Sequence, residues 1–214
     1  MSVHGVLRLF ACRPQADAVD VILRDVVAPG LLARDGLLDV FMARHGDEDD
    51  DARIVCTVWA ADAAPTDAIE HDLLVTGGAT LEGEAASRLD VLPVRIALRH
   101  DGRPEPAVLR VFRGTVREGA FDTYLESARS GALFDGATNA GAVALYLAAA
   151  EAPDFITVSA WVDWDSIAAA TGGDIRRPFA TRHQELLERL DAQHYEILPN
   201  VTRPANLVGA GRSG

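Results

Sequence analysis

The sequence predicts an α+β protein in which two successive βαββαβ units pack sheet to sheet as an α/β barrel. The first observation is an internal repeat: residues 6–10 (VLRLF) match residues 108–112 (VLRVF), and residues 54–59 (IVCTVW) match residues 156–161 (ITVSAW), both at an offset of 102 residues. The second observation is that strand-like and helix-like patterns follow in the same order in each half. Two separate segments that agree on one register indicate a duplicated unit.

Each half begins with a strand and an amphipathic helix. Residues 6–12 and 108–116 are apolar and rich in β-branched side chains, as expected of strands covered on both faces. Apolar residues then recur at i, i+3, i+4 and i+7, the spacing of one helix face. They are Val19, Ile22, Leu23 and Val26 in the first half and Phe121, Tyr124, Leu125 and Ala128 in the second. Pro29 and Gly30 should end or kink the first helix, because proline lacks a backbone donor.

A β-hairpin follows in each half. In the first half, residues 37–45 and 53–59 flank the acidic segment GDEDDD, whose repelling carboxylates predict a solvated loop. In the second half, residues 142–149 and 155–161 flank the segment EAPD. Each hairpin ends at a Trp, and a second helix and a last strand should come after it.

The last strands are predicted over residues 91–98 and 195–198. Residues 91–93 (VLP) match residues 197–199 (ILP) at an offset of 106, which implies about four extra residues in the second half. A helix is predicted before the second of these strands, because apolar residues and one histidine share a face there. These are Phe179, His183, Leu186, Leu187 and Leu190.

The order βαββαβ, found twice, is that of a ferredoxin-like unit, which carries both helices on one face of its sheet. Two units can cover each other's bare faces, which removes apolar surface from water at roughly 25 cal/mol per Å². We therefore expect an N-terminal domain over residues 1–101, a C-terminal domain over residues 102–205 and a flexible tail over residues 206–214. Such a pseudo-dimer would be a monomer, or would pair again as a homodimer.

Composition excludes several classes of function. The net charge is −12, which argues against nucleic acid as a partner. All twenty basic side chains are Arg, so chemistry that needs a lysine (Schiff bases, P-loops, pyridoxal phosphate) is excluded. Cys12 and Cys56 lack the spacing of a disulfide framework or zinc site. Without an apolar run of about 20 residues or a signal-peptide pattern, we expect a cytoplasmic protein with no membrane partner.

Four segments of the second half carry a family resemblance: residues 108–114, 155–164, 180–190 and 194–199. In these segments the chain resembles the antibiotic-biosynthesis monooxygenase family of the dimeric α/β-barrel superfamily. The resemblance implies a fused dimer with a ligand pocket between the helices and the sheet of a unit. Members oxidise polycyclic phenols or quinols with oxygen and no added cofactor, degrade haem, or have no known activity. The resemblance therefore implies that the protein binds a small aromatic molecule and uses no cofactor, or alternatively that it binds haem.

The haem-degrading branch of that family places a Trp at the end of the third strand, a His on the second helix and an Asn on the first strand. Trp161 matches this Trp, and Trp59 repeats it. The Asn position falls on Phe112, and on Phe10 in the first half. His183 lies farther beyond the Trp than in that branch, so the resemblance argues against haem degradation.

The candidate site is placed in the second half. His183 is interpreted as a general base, although a hydrogen-bonded core histidine accounts for its pattern as well. Trp161 would shape the pocket and Arg113 would stabilise a developing anion. The predicted substrate-binding residues are Tyr146, Phe155, Trp164, Arg176, Arg177 and Tyr195.

Core packing explains these aromatic residues equally well, and acid-paired loops explain adjacent arginines. Arg8 and Arg110 recur in both halves and are interpreted as structural pairs. His194 and Tyr195 must face opposite sides of the last strand. No metal site is predicted.

Two functional hypotheses follow. In the first, the protein is a cofactor-independent monooxygenase that acts on an aromatic or quinone-like small molecule. In the second, it is a binding or assembly protein of the same fold without turnover, with haem among its conceivable ligands.

Overall fold

The structure is a computed structural model, and it describes residues 5–15, 18–46, 51–83, 87–100, 102–176 and 184–201. The strands are β1 (Gly5–Cys12), β2 (Leu37–His45), β3 (Arg53–Trp59), β4 (Ser87–Arg99), β5 (Val108–Val116), β6 (Ala142–Ala148), β7 (Asp154–Trp161) and β8 (Leu187–Ile197). The helices are α1 (Val19–Ile22), α2 (Ala28–Leu32), α3 (Ile69–Thr76), α4 (Phe121–Thr138) and α5 (Trp164–Thr171). Both predicted hairpins are confirmed.

All eight described strands form one closed antiparallel barrel in the order β1-β3-β2-β8-β5-β7-β6-β4. The first four strands therefore lie in the order β4-β1-β3-β2, and the last four lie in the corresponding order β8-β5-β7-β6. The two sets join where β2 pairs with β8 and where β4 pairs with β6. Closure leaves none of these strands at an open edge.

The strand registers test the repeat. Val6 pairs with Trp59 and Val108 pairs with Trp161, so the two Trp residues occupy equivalent places 102 residues apart. The third match was set in the wrong register. Leu92 lies opposite Leu7 and Tyr195 lies opposite Leu109, so the ladder equates residues 103 apart rather than 106. Similar apolar tripeptides at the ends of two strands produced that error.

The interior of the barrel is one apolar cluster with members from every strand. Among them are Leu7, Phe41, Cys56, Val94, Leu109, Tyr146, Val158 and Tyr195. Because side chains alternate across a strand, their chain neighbours point outward toward the helices. The outward cluster of the first half packs β1, β2 and β3 against the helical segments α1, α2 and α3. In the second half, α4 and α5 cover two further outward clusters.

The first helical segment does not end at Pro29. A π-helical turn at Leu23–Val27 joins α1 to α2, and Pro29 lies in the first turn of α2. The wider turn accommodates the missing proline donor within a continuous helical segment. Gly30 lets α3 pack closely, since an added Cβ would lie 2.8 Å from a methyl group of Leu73, and that side chain would have to shift.

The helix predicted around residues 179–190 is wrong over its described part. Gln184–Leu186 is a short 3-10 turn, and β8 begins at Leu187. β8 pairs with β5 from Leu187 opposite Val116 to Glu196 opposite Val108. The nine residues of β5 need hydrogen-bond partners along their whole length, and this tertiary requirement overrides the local helical spacing. Residues 177–183, with His183 and Arg177, lie outside the described residues.

Candidate functional site

The predicted site residues lie on both faces of the barrel wall. Leu109 and Val111 of β5 point into the barrel, and because alternate residues share a face, Arg113 points inward too. Trp161 points outward from β7. On the β5–β7 ladder, Val108 pairs with Trp161 and Arg113 pairs with Ile156. Arg113 and Trp161 are thus five residues apart along the ladder, roughly 17 Å. They do not share a pocket.

The outward face of the second half holds Trp161 in a rigid frame. Its side chain is fully buried against Val108, Ala142 and Ile167 of α5, and its indole nitrogen donates to Ser159 Oγ at 3.0 Å. The helix α5 is fixed at its start by the Asp163 carboxylate, which accepts from the Ser166 backbone N–H at 2.7 Å. This cap sets the position of the next residue, Trp164.

Next to this frame lies a polar cluster that combines Arg110, His194 and Trp164. Arg110 Nε donates to His194 Nε2 at 3.2 Å, and Arg110 Nη2 donates to the Ile175 carbonyl at 2.6 Å. The Trp164 and His194 rings have centroids 5.6 Å apart, and the Arg110 guanidinium lies 4.3 Å above the Phe112 ring. A cation, an imidazole and aromatic rings therefore meet on the side of the sheet where Trp161 lies.

Electrostatics in this cluster keep His194 uncharged. Burial, followed by the neighbouring Arg110 charge, lowers the pKa of His194 to about 4. Burial also lowers the pKa of Arg110 to about 10, against the opposing attraction of Asp174, so the guanidinium stays charged at neutral pH. His194 Nε2 is also 3.1 Å from the Ile175 carbonyl. Since a guanidinium can only donate, we assign Nε2 as the acceptor and the ring proton to Nδ1, so Nε2 and the Ile175 carbonyl are two acceptors that share the Arg110 donors and do not bond to each other.

The equivalent arginine of the first half is held differently. Arg8 Nε and Nη2 each donate to the Glu70 carboxylate at 3.1 Å, and Arg8 Nη1 donates to the Pro65 carbonyl at 2.8 Å. Thr57 Oγ1 adds a third donor to Glu70 at 3.0 Å. Arg8 and Glu70 are both buried, so the interpretation of Arg8 as a structural pair is confirmed. The second half has His194 where the first half uses a carboxylate from α3.

The remaining aromatic residues are divided between the two faces. Phe155 points outward beneath α4, where its ring centroid is 4.7 Å from that of Tyr124. It fills the space above Gly114, where an added Cβ would lie 2.4 Å from the Phe155 ring. Tyr146 points inward, and its hydroxyl donates to the buried Asp39 carboxylate at 2.8 Å.

Asp39 and Tyr146 form a buried polar group inside the barrel with Arg99. Arg99 Nη1 and the Val40 backbone N–H also donate to the Asp39 carboxylate. Burial raises the pKa of Asp39, opposed by Arg99, and burial and Asp39 together raise that of Tyr146 well above its ordinary value. Asp39 is not among the residues predicted from the sequence, although a single acid within the apolar run LLDVFMA is a signal of a buried polar group.

Arg113 and Tyr195 lie together at one end of the barrel. They line a cleft of about 280 Å³ with His45 and Gln193. Arg113 Nη1 and the Tyr195 hydroxyl both donate to Gln193 Oε1, at 3.1 Å and 2.9 Å. The ring centroids of Tyr195 and His45 are 5.3 Å apart, edge to face. The cleft is separate from the Trp161 cluster.

The last described member of the predicted site is Arg176, which is exposed after α5, with its backbone N–H donating to the Asp174 carboxylate at 3.1 Å. Over the described ranges, no group of three or more His, Cys, Asp or Glu side chains is arranged to hold a metal ion. None of the helices described is long and apolar enough to cross a membrane.

No protein-family model matches the sequence, and no curated protein matches it at a significant level. Solved structures do share its fold. A proposed monooxygenase from Fusobacterium nucleatum has a TM-score of 0.71 at 14% identity, and the alignment covers 92% of this chain and 94% of that chain. A ferredoxin-fold protein related to antibiotic-biosynthesis monooxygenases, from Listeria monocytogenes, has a TM-score of 0.54 at 11% identity, with 89% and 95% covered. The resemblance to this family is confirmed at the level of the fold.

Two further neighbours differ in their described chemistry. An anthrone oxidase-like protein has a TM-score of 0.57 at 14% identity, with 98% of this chain and 97% of that chain covered. A haem-degrading enzyme from Listeria monocytogenes has a TM-score of 0.50 at 10% identity, with 88% and 99% covered. At such identities the likeness shows the fold alone.

The described residues do not fit haem. Phe112 is buried on the outward face at the position where the haem-degrading branch has an Asn. His194, the imidazole of that face among the described residues, has its Nε2 occupied by the Arg110 guanidinium. Neither group offers the contacts that a haem-degrading site needs.

Proposed function

We propose that the protein is a cofactor-independent monooxygenase that oxidises an aromatic or quinone-like small molecule at the outward face of its second half. The observation that carries this proposal is the difference between the two halves at equivalent arginines. Glu70 contacts Arg8 in a buried ion pair, whereas Arg110 contacts the uncharged imidazole of His194 and is attracted by Asp174, which is exposed. The fold shared with monooxygenase-related proteins supports the same assignment.

The proposed reaction converts an activated methylene, such as that of an anthrone, into a carbonyl. One O₂ is consumed; one of its oxygen atoms enters the product and the other leaves as water with the two hydrogens of the methylene. The carbon supplies the electrons, so the balance needs no added reductant. The protein has to remove a proton and stabilise the resulting anion.

Residues of the second half are assigned to these tasks. Arg110 stabilises the enolate or phenolate, because a buried guanidinium attracts a developing anion strongly. The partly exposed Trp164 offers an apolar face to the ring system, and the buried Trp161 packs behind it. His183 remains the proposed general base. His194 is unsuited to that role, since a base with a pKa near 4 is weak at neutral pH.

Oxygen uptake with an anthrone or a quinol, without added cofactor and with a chelator present, tests the proposal. The wild type should consume one O₂ per anthrone molecule. His183→Ala should slow the reaction by roughly 10²–10⁴-fold, the usual contribution of a general base. His71→Ala is the matched control, because His71 lies beside Phe10 on the outward face of the first half. Uptake that is absent with both substrates, or equal in wild type and His183→Ala, would overturn the proposal.

The alternative is a binding or assembly protein without turnover. Titration with haem, followed by the Soret band, separates a haem-binding protein from the oxygenase. A shifted Soret band together with no oxygen uptake would favour the alternative.

We also infer that the chain is a tandem pseudo-dimer with domains at residues 1–101 and 102–205. The equal strand order of the two halves and the common spacing of 102 residues support this inference. Residues 102–205 expressed alone should then re-form a barrel as a dimer, because the inward cluster would otherwise face water. A well-folded monomer in light scattering would contradict the inference.

A further inference from the structure

The end of the barrel near Arg113 collects basic side chains from several strands. The lining of the cleft draws on both halves and contains three arginines, one histidine and one acid: Arg13, His45, Arg88, Arg113 and Asp191. A second acid, Asp90, contacts Arg88 and Arg113. Leaving His45 aside, these described groups sum to one positive charge, in a chain whose net charge is −12. Over the described residues, the lining of the cleft with Asp90 therefore carries one more basic than acidic side chain.

The orientation of Arg113 is fixed by its partners. Its Nη2 donates to one oxygen of Asp90 at 3.1 Å, while Arg88 donates to the other oxygen of Asp90 at 3.0 Å. Its Nη1 donates to Gln193 Oε1 at 3.1 Å. The Nε–H of Arg113 is buried and has no hydrogen-bond partner among the described residues. A buried donor without an acceptor is unfavourable, so a small shift of the Arg113 side chain that brings Nε–H to an acceptor would be stabilising.

Gln193 adds a second oriented donor. Its Oε1 accepts from both Arg113 and the Tyr195 hydroxyl, so the amide orientation follows from these two donors. The amide nitrogen then points away from both. The rings of Tyr195 and His45 stand edge to face beside it and give the cleft an aromatic side. The result is a small cavity with oriented N–H donors, a cationic balance and a ring-lined wall.

We propose that this end of the barrel is a binding site for a small aromatic carboxylate. Guanidinium groups recognise carboxylates through charge-assisted hydrogen bonds, and the ring-lined wall suits an apolar ring attached to the carboxylate. The volume of about 280 Å³ is near the lower limit of small-molecule pockets, so the ligand is a single-ring compound. The site does not depend on the oxygenase proposal, because it faces the inside of the barrel and its Arg113 lies about 17 Å along the ladder from Trp161.

Calorimetric titration with benzoate, with benzamide as a neutral analogue of the same shape, tests the site. Benzoate should bind, benzamide should bind at least roughly tenfold more weakly, and added salt should weaken benzoate binding. Arg113→Gln should reduce the benzoate affinity by roughly tenfold or more. Arg129→Gln, which removes an arginine from the surface of α4, should leave it unchanged.

Circular dichroism checks that Arg113→Gln folds. Arg88→Gln serves as a second variant, since the Arg88 side chain is 65% exposed and its removal leaves the Arg113–Asp90 contact in place. It should weaken benzoate binding less than Arg113→Gln does. Equal affinities for benzoate and benzamide, no binding at about 10 mM benzoate, or a folded Arg113→Gln variant that binds like the wild type would each overturn the proposal. Oxygen uptake by the same variants separates this outcome from a failure of the oxygenase proposal.

Discussion

Replacing Glu70 by Gln should destabilise the protein strongly, because the change removes the negative half of a buried ion pair. The Glu70 carboxylate accepts from Arg8 twice and from Thr57 once, and both charged side chains are at most 1% exposed. A Gln side chain offers one oxygen, and its amide group would face a guanidinium that can only donate. Removing one partner of a buried pair costs about 3–5 kcal/mol, since the other charge stays buried.

Urea denaturation at pH 7 measures this loss, and thermal unfolding should show a Tm lowered by roughly 6–20 °C for a chain of this size. Glu196→Gln is the matched control. Glu196 pairs with Arg44, and their side chains are 42% and 52% exposed, respectively. The free energy of unfolding should therefore fall by less than about 1 kcal/mol in this variant. The double change Arg8→Met with Glu70→Leu should recover most of the stability. A Glu70→Gln variant no less stable than Glu196→Gln would refute the argument from burial.

Three further predictions follow from the structure. The pKa of His194 is about 4 in the folded state and 6.5 in its reference state, so the unfolded chain takes up the proton first as the pH falls. The free energy of unfolding of the wild type should therefore fall by about 1–2 kcal/mol between pH 6.5 and pH 4, a figure that allows for the partial exposure of His194. His194→Gln should lack this pH-dependent loss. Urea denaturation midpoints of both proteins at both pH values measure the difference. Gly114→Ala should lower the free energy of unfolding by about 1–3 kcal/mol, because the added methyl group would clash with the Phe155 ring. Gly131→Ala in α4 should raise it by up to about 1 kcal/mol, because nothing lies within 4 Å of the added methyl group. Thermal unfolding of both variants measures these changes. Tyr146→Phe should cost about 1–3 kcal/mol in urea denaturation, because Asp39 loses a buried donor; an unchanged midpoint would mean that the hydroxyl does not stabilise Asp39.

Much of the fold could be predicted because local signals were strong. The first hairpin has an acidic turn between two apolar strands, and β2 and β3 begin and end at the predicted residues. The pairing of Val6 with Trp59 and of Val108 with Trp161 follows the spacing of the repeat. In these segments the local pattern and the tertiary structure agree, which is the condition under which sequence patterns are informative.

The strand β8 shows where local signals fail. Leu186, Leu187 and Leu190 have the spacing of a helix face, yet the last two lie in a strand that completes the pairing of β5. No residue within the segment reports this requirement, since the unpaired backbone groups belong to a strand some eighty residues earlier. The prediction for His183 rests on the same spacing, because it would share a helix face with these leucines, and His183 lies outside the described residues.

The prediction that Arg113 and Trp161 belong to one site is wrong for a different reason, which is the closure of the barrel. Alternation along one strand shows which of its residues share a face, but it does not show which face lies inside the barrel, because the inside is formed by all eight strands together.

Arg8 and Arg110 occupy the same place in their strands and both point outward. Their partners, however, come from elements that the repeat does not constrain: Glu70 from α3 in one half and His194 from β8 in the other. Glu70 brings its charge into direct contact with the buried Arg8 guanidinium, whereas His194 brings a hydrogen bond to Arg110 and the charge that attracts Arg110 is that of the exposed Asp174. The two halves thus differ in how closely an acid approaches the equivalent arginine, and for that reason the arginine of the second half is the one we assign to an anionic substrate.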